Sequence, residues 1–279
     1  MPKVSVIIPT YNRAELLKEA LNSVFAQTFQ DYEVIVVDDG STDNTKDVVS
    51  FYRDKVKYYY KTNGGPASAR NMGIINSAAR YLAFIDSDDL WLPQRLELGV
   101  SRLEAKIDTA LVFSDMKYIV NGVVSDNNTY FKRYLPARGE VLERLCLQDF
   151  IPTSTVILKK ECLCETGYFD EALRVCEDYD LWLRIASRYK VEYIDQPLAC
   201  YRYHEGNLVK TNRDDLLLAT RDVLCQAKKR WQIGFKSNVN RRIALLSWQI
   251  AKNKISRKQY LQAISELGLC LNYYLRRSI

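Results

Sequence analysis

The sequence predicts an α/β fold: a mostly parallel central sheet flanked by helices, followed by a C-terminal helical extension. Four short apolar runs alternate with helix-period segments over roughly the first 90 residues, the pattern of parallel strands covered on both faces. Three of those runs end in polar or acidic residues, the edge where open α/β sheets bind ligands. Beyond Asn212 there are three helix-period stretches and no convincing strand.

Each element has a local reason. Val4–Ile8 is rich in β-branched residues and stops at Pro9, as a buried strand does. Leu16, Leu17, Ala20, Leu21, Val24 and Phe25 recur at helical spacing between Arg13 and Gln27. Val34–Val37 is a second strand running into Asp38-Asp39-Gly40-Ser41. Ser41 or Thr42 can cap a helix reaching Tyr52. Val56–Tyr60 is a third strand, and Asn63-Gly64-Gly65 turns into a helix whose first position suits Pro66. Tyr81–Ile85 is a fourth strand, ending in Asp86-Ser87-Asp88-Asp89. Alternation then loosens: a helix over Leu96–Leu103, a strand over Ala110–Phe113 and a hairpin about Asn121-Gly122. Thr155–Leu158 reads as a strand and Tyr179–Tyr189 as a helix, and the last three helices cover about 213–231, 239–252 and 257–275.

Composition bounds the class. The chain has 279 residues, 47% hydrophobic and 27% charged, which excludes disordered, collagen-like and coiled-coil classes. No run approaches the ~18 consecutive apolar residues of a membrane span, and Met1-Pro2-Lys3-Val4 lacks the order of a signal peptide. Seven cysteines without a CxxC pair suit reduced thiols and a cytoplasmic location. The net charge of +6 is unevenly spread: residues 1–204 hold 25 Lys and Arg against 29 Asp and Glu, and residues 205–279 hold 15 against 5. Two domains are therefore expected, a slightly acidic body over 1–205 and a basic helical extension over 206–279. Such a tail calls for an anionic partner.

The candidate chemistry lies at the strand ends. Pro9-Thr10-Tyr11-Asn12 follows the first strand, Asp38-Asp39 the second and Asp86-Ser87-Asp88-Asp89 the fourth. Asp38-Asp39 alone fits a helix cap as well as a ligand site. Three carboxylates within four residues repel one another and call for a cation or for donors. Hard oxygen ligands of this kind suit Mg²⁺ or Mn²⁺, ions that keep waters and share coordination with substrate phosphates. Neither GxxxxGK[ST] nor GxGxxG occurs. The cluster reads as a metal-assisted diphosphate site without a glycine cradle.

Those residues also carry a resemblance. Val4–Arg13, then Val36–Asp43, Gly65–Asn71, the Asp86-Ser87-Asp88 DxD, Glu177–Trp182 and Tyr201–His204 resemble, in order, the family 2 glycosyltransferases of the GT-A fold. It covers about residues 3–204. The resemblance implies that Tyr11 stacks on the nucleotide base, with Pro9 and Thr10 shaping the turn and Asp39 accepting the base's imide N–H. It implies Arg70 near the phosphates, Asp86 on ribose or metal, and Asp88 on a divalent ion, Mn²⁺ or Mg²⁺. A one-residue shift would exchange Asp88 with Asp89. Asp178 is then the general base of a single, inverting displacement, Glu177 an acceptor contact or helix-start charge, and His204 a phosphate or metal contact. The plain alternatives are rim packing for Tyr11, a salt bridge for Arg70, a helix cap for Asp178 and a structural role for His204.

The implied activity is glycosyl transfer from a nucleotide diphosphate donor, with UDP the expected nucleotide. The expected acceptor is a glycan or lipid-linked glycan of cell-envelope polysaccharide. Two other classes are weighed against it: a sugar-nucleotide nucleotidyltransferase, which releases pyrophosphate, and a non-catalytic nucleotide-sugar-binding protein. The tail suits either an anionic membrane surface, at the inner face of the cytoplasmic membrane, or a helical bundle with a basic solvated face. Nucleic acid is not expected, since no binding motif accompanies the charge.

Overall fold

The computed structural model describes residues 1–204, 213–231 and 236–275. The chain forms two compact units: Met1–Val141 with Phe150–His204, and Leu142–Asp149 with the chain beyond His204. The segment 142–149, sequence-assigned to the body, groups with the C-terminal helices instead.

Among the described residues nine strands form one sheet: β1 (Val4–Thr10), β2 (Tyr32–Asp38), β3 (Val56–Tyr60), β4 (Tyr81–Phe84), β5 (Leu90–Trp91), β6 (Thr109–Val120), β7 (Val123–Thr129), β8 (Ile157–Lys159) and β9 (Lys190–Tyr203). Their order is β3-β2-β1-β4-β8-β6-β9-β5, with β7 paired to β6. The first unit also holds helices α1 (Ala14–Phe25), α2 (Thr45–Ser50), α3 (Pro66–Ile75), α4 (Arg95–Ala105) and α5 (Tyr130–Arg133). After α6 (Leu142–Leu147), which lies in the second unit, come α7 (Leu163–Thr166) and α8 (Glu177–Ala186). The second unit adds α9 (Arg213–Trp231), α10 (Lys236–Ser256) and α11 (Tyr260–Leu275).

β3, β2, β1 and β4 run parallel, as the sequence alternation predicts. The other half is mixed, with β8 antiparallel to both β4 and β6 while β6 and β9 are parallel. Every residue of β1 is buried, because alternate side chains enter layers on opposite faces of the sheet. Val4, Val6 and Ile8 share a core with Leu17, Leu21 and Val24 of α1. On the other face Ile7 meets α3 at Gly73, where an added Cβ would lie 2.5 Å from Ile7 Cγ2. Truncating Leu17 or Leu21 to alanine in such a layer costs about 2–5 kcal/mol.

One capping expectation is corrected. Neither Ser41 nor Thr42 caps the second helix, which begins at Thr45. The Ser41 backbone N–H donates to Asp38 and that of Thr42 to Asn12, while Asp43 Oδ1 accepts from the Thr45 N–H at 3.0 Å. The Thr42–Asn12 bond ties the loops after β1 and β2 together. The hairpin at Asn121-Gly122 forms with both residues at positive φ, 50° and 78°.

Candidate active site

The parallel register sets the C-terminal ends of β1, β2 and β4 side by side, with Thr10 opposite Asp38 and Ile7 opposite Phe84. Sequence-predicted site residues therefore share one edge of the sheet. Tyr11, 47% exposed, follows the end of β1, while Thr10 Oγ1 is buried without a hydrogen-bond partner. An orphaned buried hydroxyl is costly unless a ligand completes it.

The two carboxylates after β2 divide their work. Asp38 accepts from Tyr58 Oη at 2.6 Å and from the Ser41 N–H at 2.7 Å, a structural clasp. Burial and Asp38 together hold the Tyr58 phenol above its ordinary range. Asp39 accepts from Lys61 Nζ at 2.7 Å and from the backbone N–H groups of Gly64 and Gly65 at 2.9 and 2.7 Å. It thereby fixes the turn in which Gly65, at φ 90°, precedes Pro66 and opens α3.

α3 carries Arg70, whose guanidinium is buried between Asp86 (2.7 Å) and Glu177 (2.6 Å), over the Phe169 ring. Burial opposes its charge, and the two carboxylates outweigh that effect. Arg70 is thus a strut joining the loop after β4 to the start of α8. Glu177 is pushed up to about 7 by burial and by neighbouring Asp178.

Asp88 and Asp89 face different ways. Asp88 meets Arg13 and lies 2.9 Å from His204 Nε2. Asp89 is buried, accepts from Ser154 Oγ at 2.5 Å and from the Arg202 N–H at 3.0 Å, and is pushed up to about 7 by burial and Asp86. A carboxylate beside an imidazole fits a divalent ion that takes its remaining ligands from water and diphosphate oxygens. Arg13 compensates the Asp88 charge. Among the described residues no cluster of three or more His, Cys, Asp or Glu side chains is assembled for a metal.

Asp178 sits in the first turn of α8, a position that favours an anion. It accepts from Thr153 Oγ1 at 2.5 Å and from the Tyr179 N–H at 2.7 Å. The Thr153–Thr155 turn connects this residue to the β4 loop. Ser154 Oγ donates to Asp89 and accepts from the Asp86 N–H at 3.1 Å, and Trp91 Nε1 donates to the Ser154 carbonyl at 2.7 Å. Fully buried Arg95 donates to the Thr155 carbonyl. Asp178 is thus linked to the acidic loop through Thr153 and Ser154, and Glu177 through Arg70 alone.

Sequence reasoning missed Arg13, Lys61, Thr153, Ser154 and Arg202. Arg13 and Arg202 lay inside the stretches that carry the resemblance, and a run of three hydroxyl residues follows Pro152, though the apolar stretch after it read simply as a strand.

The profile of glycosyl transferase family 2 matches residues 5–160. An uncharacterized glycosyltransferase of Rickettsia typhi is 34% identical over 218 residues, which are 77% of this chain and 68% of that protein. A Rickettsia conorii relative is 36% identical over 206 residues, 72% of this chain, but the match spans only 34% of its own length. Among solved structures, S. aureus TarS 1–349 in complex with UDP-GlcNAc has a TM-score of 0.75 at 24% identity, covering 98% of this chain and 81% of that one. The mannosyltransferase PcManGT of Pyrobaculum calidifontis, in complex with GDP-Man and Mn²⁺, has a TM-score of 0.64 at 17% identity, covering 100% and 88%. Both are likenesses of fold. With the ordered motifs on one sheet edge, they identify a GT-A fold, and the family match makes the chain a member of glycosyl transferase family 2.

Proposed function

We propose that this glycosyltransferase moves a sugar from a UDP-linked donor to a glycan or lipid-linked glycan acceptor by a single, inverting displacement. The carrying observation is that Asp178 and the acidic loop after β4 are tied to one framework through Thr153 and Ser154. In this reading Tyr11 stacks on the base, Pro9 and Thr10 shape its pocket, Asp39 accepts the imide N–H, and Asp86 meets the ribose. The orphaned Thr10 hydroxyl supports a ligand at this edge.

Asp178 takes the proton of the acceptor hydroxyl as its oxygen bonds to the anomeric carbon. The bond from that carbon to the diphosphate oxygen breaks, and its electron pair leaves with the nucleotide. General-base help of this type contributes ~10²–10⁴-fold. Asp88 and His204 would hold Mn²⁺ or Mg²⁺, which supplies neutralisation of the diphosphate charge when bound. Arg70 fixes Asp86 against Glu177, and Glu177 borders the acceptor side. The PcManGT complex with Mn²⁺ supports the metal assignment by analogy of fold.

The nucleotidyltransferase and non-catalytic readings give way to family membership. A basic C-terminal unit at an anionic membrane surface is the partner reading that suits a lipid-linked acceptor. No helix among the described residues is long and apolar enough to cross a membrane. The test is calorimetry of UDP and GDP, each with and without Mn²⁺. UDP with Mn²⁺ is expected to bind at least ~10-fold more tightly than GDP or than UDP alone. Equal, metal-independent affinities would contradict the donor assignment.

A further inference from the structure

The second unit contains a helix whose chemistry the transferase reaction does not use. α10 has 21 residues and includes Lys236, Arg241, Arg242, Lys252 and Lys254 but no Asp or Glu. Its inward face is mostly apolar, with Val239, Ile243, Ile250 and Ala251 buried beside Asn240 and Ser247. Its outward face carries Arg241, Leu245, Trp248, Lys252 and Ile255, all exposed and recurring every three to four residues. Those spacings place them in one stripe of the helix. Cations and large apolar groups therefore alternate along a single line.

Three carboxylates of this unit are bound by groups outside that line. Asp214 is bound by Asn253 and Arg257, and Asp222 and buried Glu266 pair with Arg221. Arg242, the other arginine of the pair, donates to the Cys146 carbonyl. α11 adds exposed Leu261, Ile264 and Leu271, and its one carboxylate is the buried Glu266.

We propose that the Arg241–Ile255 face of α10 is the surface on which this chain rests against an anionic lipid bilayer. The assignment rests on the membrane reading above and narrows it to one helix face. A bilayer interface offers both chemistries the stripe needs at one depth. Phosphate groups meet Arg241 and Lys252, whose long stems lie along apolar surface while their heads stay wet. Leu245 and Ile255 enter the acyl boundary, and Trp248 sits where an aromatic ring with one polar edge is favoured. A helix of about 30 Å lying in the plane, rather than crossing it, agrees with its charge. A second copy of this chain seated on the stripe would set like charges against each other about the two-fold axis.

The test is co-sedimentation of the full chain with extruded vesicles of phosphatidylcholine alone or with a quarter phosphatidylglycerol. The wild type is expected to partition at least ~10-fold more strongly onto the anionic vesicles. Arg241→Gln with Lys252→Gln lowers that partitioning roughly 10–30-fold, about 5-fold for each cation near the surface. Trp248→Ser lowers it several-fold, while Lys18→Gln with Lys46→Gln, the same charge removed from exposed positions in the first unit, leaves it unchanged. Circular dichroism melting checks that each variant is folded. Wild-type protein that ignores anionic vesicles overturns both this assignment and the membrane reading. Binding that persists in the α10 variants overturns the assignment alone, and so does a solution dimer that Trp248→Ser dissociates.

Discussion

Thr153 Oγ1 donates to Asp178 Oδ2 at 2.5 Å, from a turn whose next residue, Ser154, holds both Asp89 and the Asp86 backbone. Asp178, the proposed base, and the acidic loop are therefore positioned by one three-residue segment. A carboxylate displaced by about 1 Å from its productive place costs up to ~10² in rate. Thr153→Val should lower turnover about 10–100-fold with UDP affinity nearly unchanged, and Thr153→Ser should restore most of it. Nucleoside diphosphate release, followed at saturating donor, reads the difference. Wild-type turnover in the valine variant would remove Thr153 from the positioning role.

Asp88 lies between Arg13 and His204, whose Nε2 is 2.9 Å from it. Asp88→Ala should weaken Mn²⁺ binding to the UDP-saturated enzyme by at least ~10-fold. Isothermal calorimetry measures it directly. Unaltered Mn²⁺ affinity would remove Asp88 from the proposed metal site.

Glu177 is pushed up to about 7 in the folded chain, well above an ordinary glutamate at 4.5. A carboxyl raised on folding contributes stability that is fully present below the unfolded value and is lost as pH rises through the folded one. Relative to wild type, Glu177→Gln should therefore gain stability as pH climbs from about 4.5 to above 7. The swing is on the order of 3 kcal/mol. Urea unfolding of both proteins across that window gives the difference. A pH-independent difference would mean that Glu177 titrates normally.

Gly73 packs against β1 so closely that a Cβ would sit 2.5 Å from Ile7 Cγ2. Alanine gains up to ~1 kcal/mol in helix propensity, but overpacking a buried contact costs about 1–3 kcal/mol. The clash wins, so Gly73→Ala should be net destabilising in chemical denaturation. A more stable variant would show that the α3–β1 contact yields easily.

The parallel half of the fold was legible because β1, β2 and β4 are apolar runs that end in turn and acidic residues. The mixed half was legible only in part: β6, its hairpin to β7 and β8 were expected, while β5 and β9 were not. β9 runs from Lys190 to Tyr203 through Gln196-Pro197, and its register against β6 shifts near Ser114 and Asp115. Period-2 alternation is lost at such irregularities. β5 is only Leu90–Trp91, too short for any pattern to register. Within the site, residues at strand ends could be named in advance because topology puts strand ends together. Partnerships across the chain could not. Arg70 with Glu177 and Thr153 with Asp178 depend on how α8 and the 153–155 turn close over the sheet. Neither local spacing nor composition encodes that closure.

Asp178→Asn is the most direct test of the account. Its side chain keeps the shape that Thr153 and the start of α8 hold, but it cannot take up the acceptor's proton. Donor affinity should stay within about 3-fold of wild type while turnover falls ~10²–10⁴-fold. Turnover near the wild-type rate, with the same donor affinity, would contradict Asp178 as the base and with it the proposed displacement.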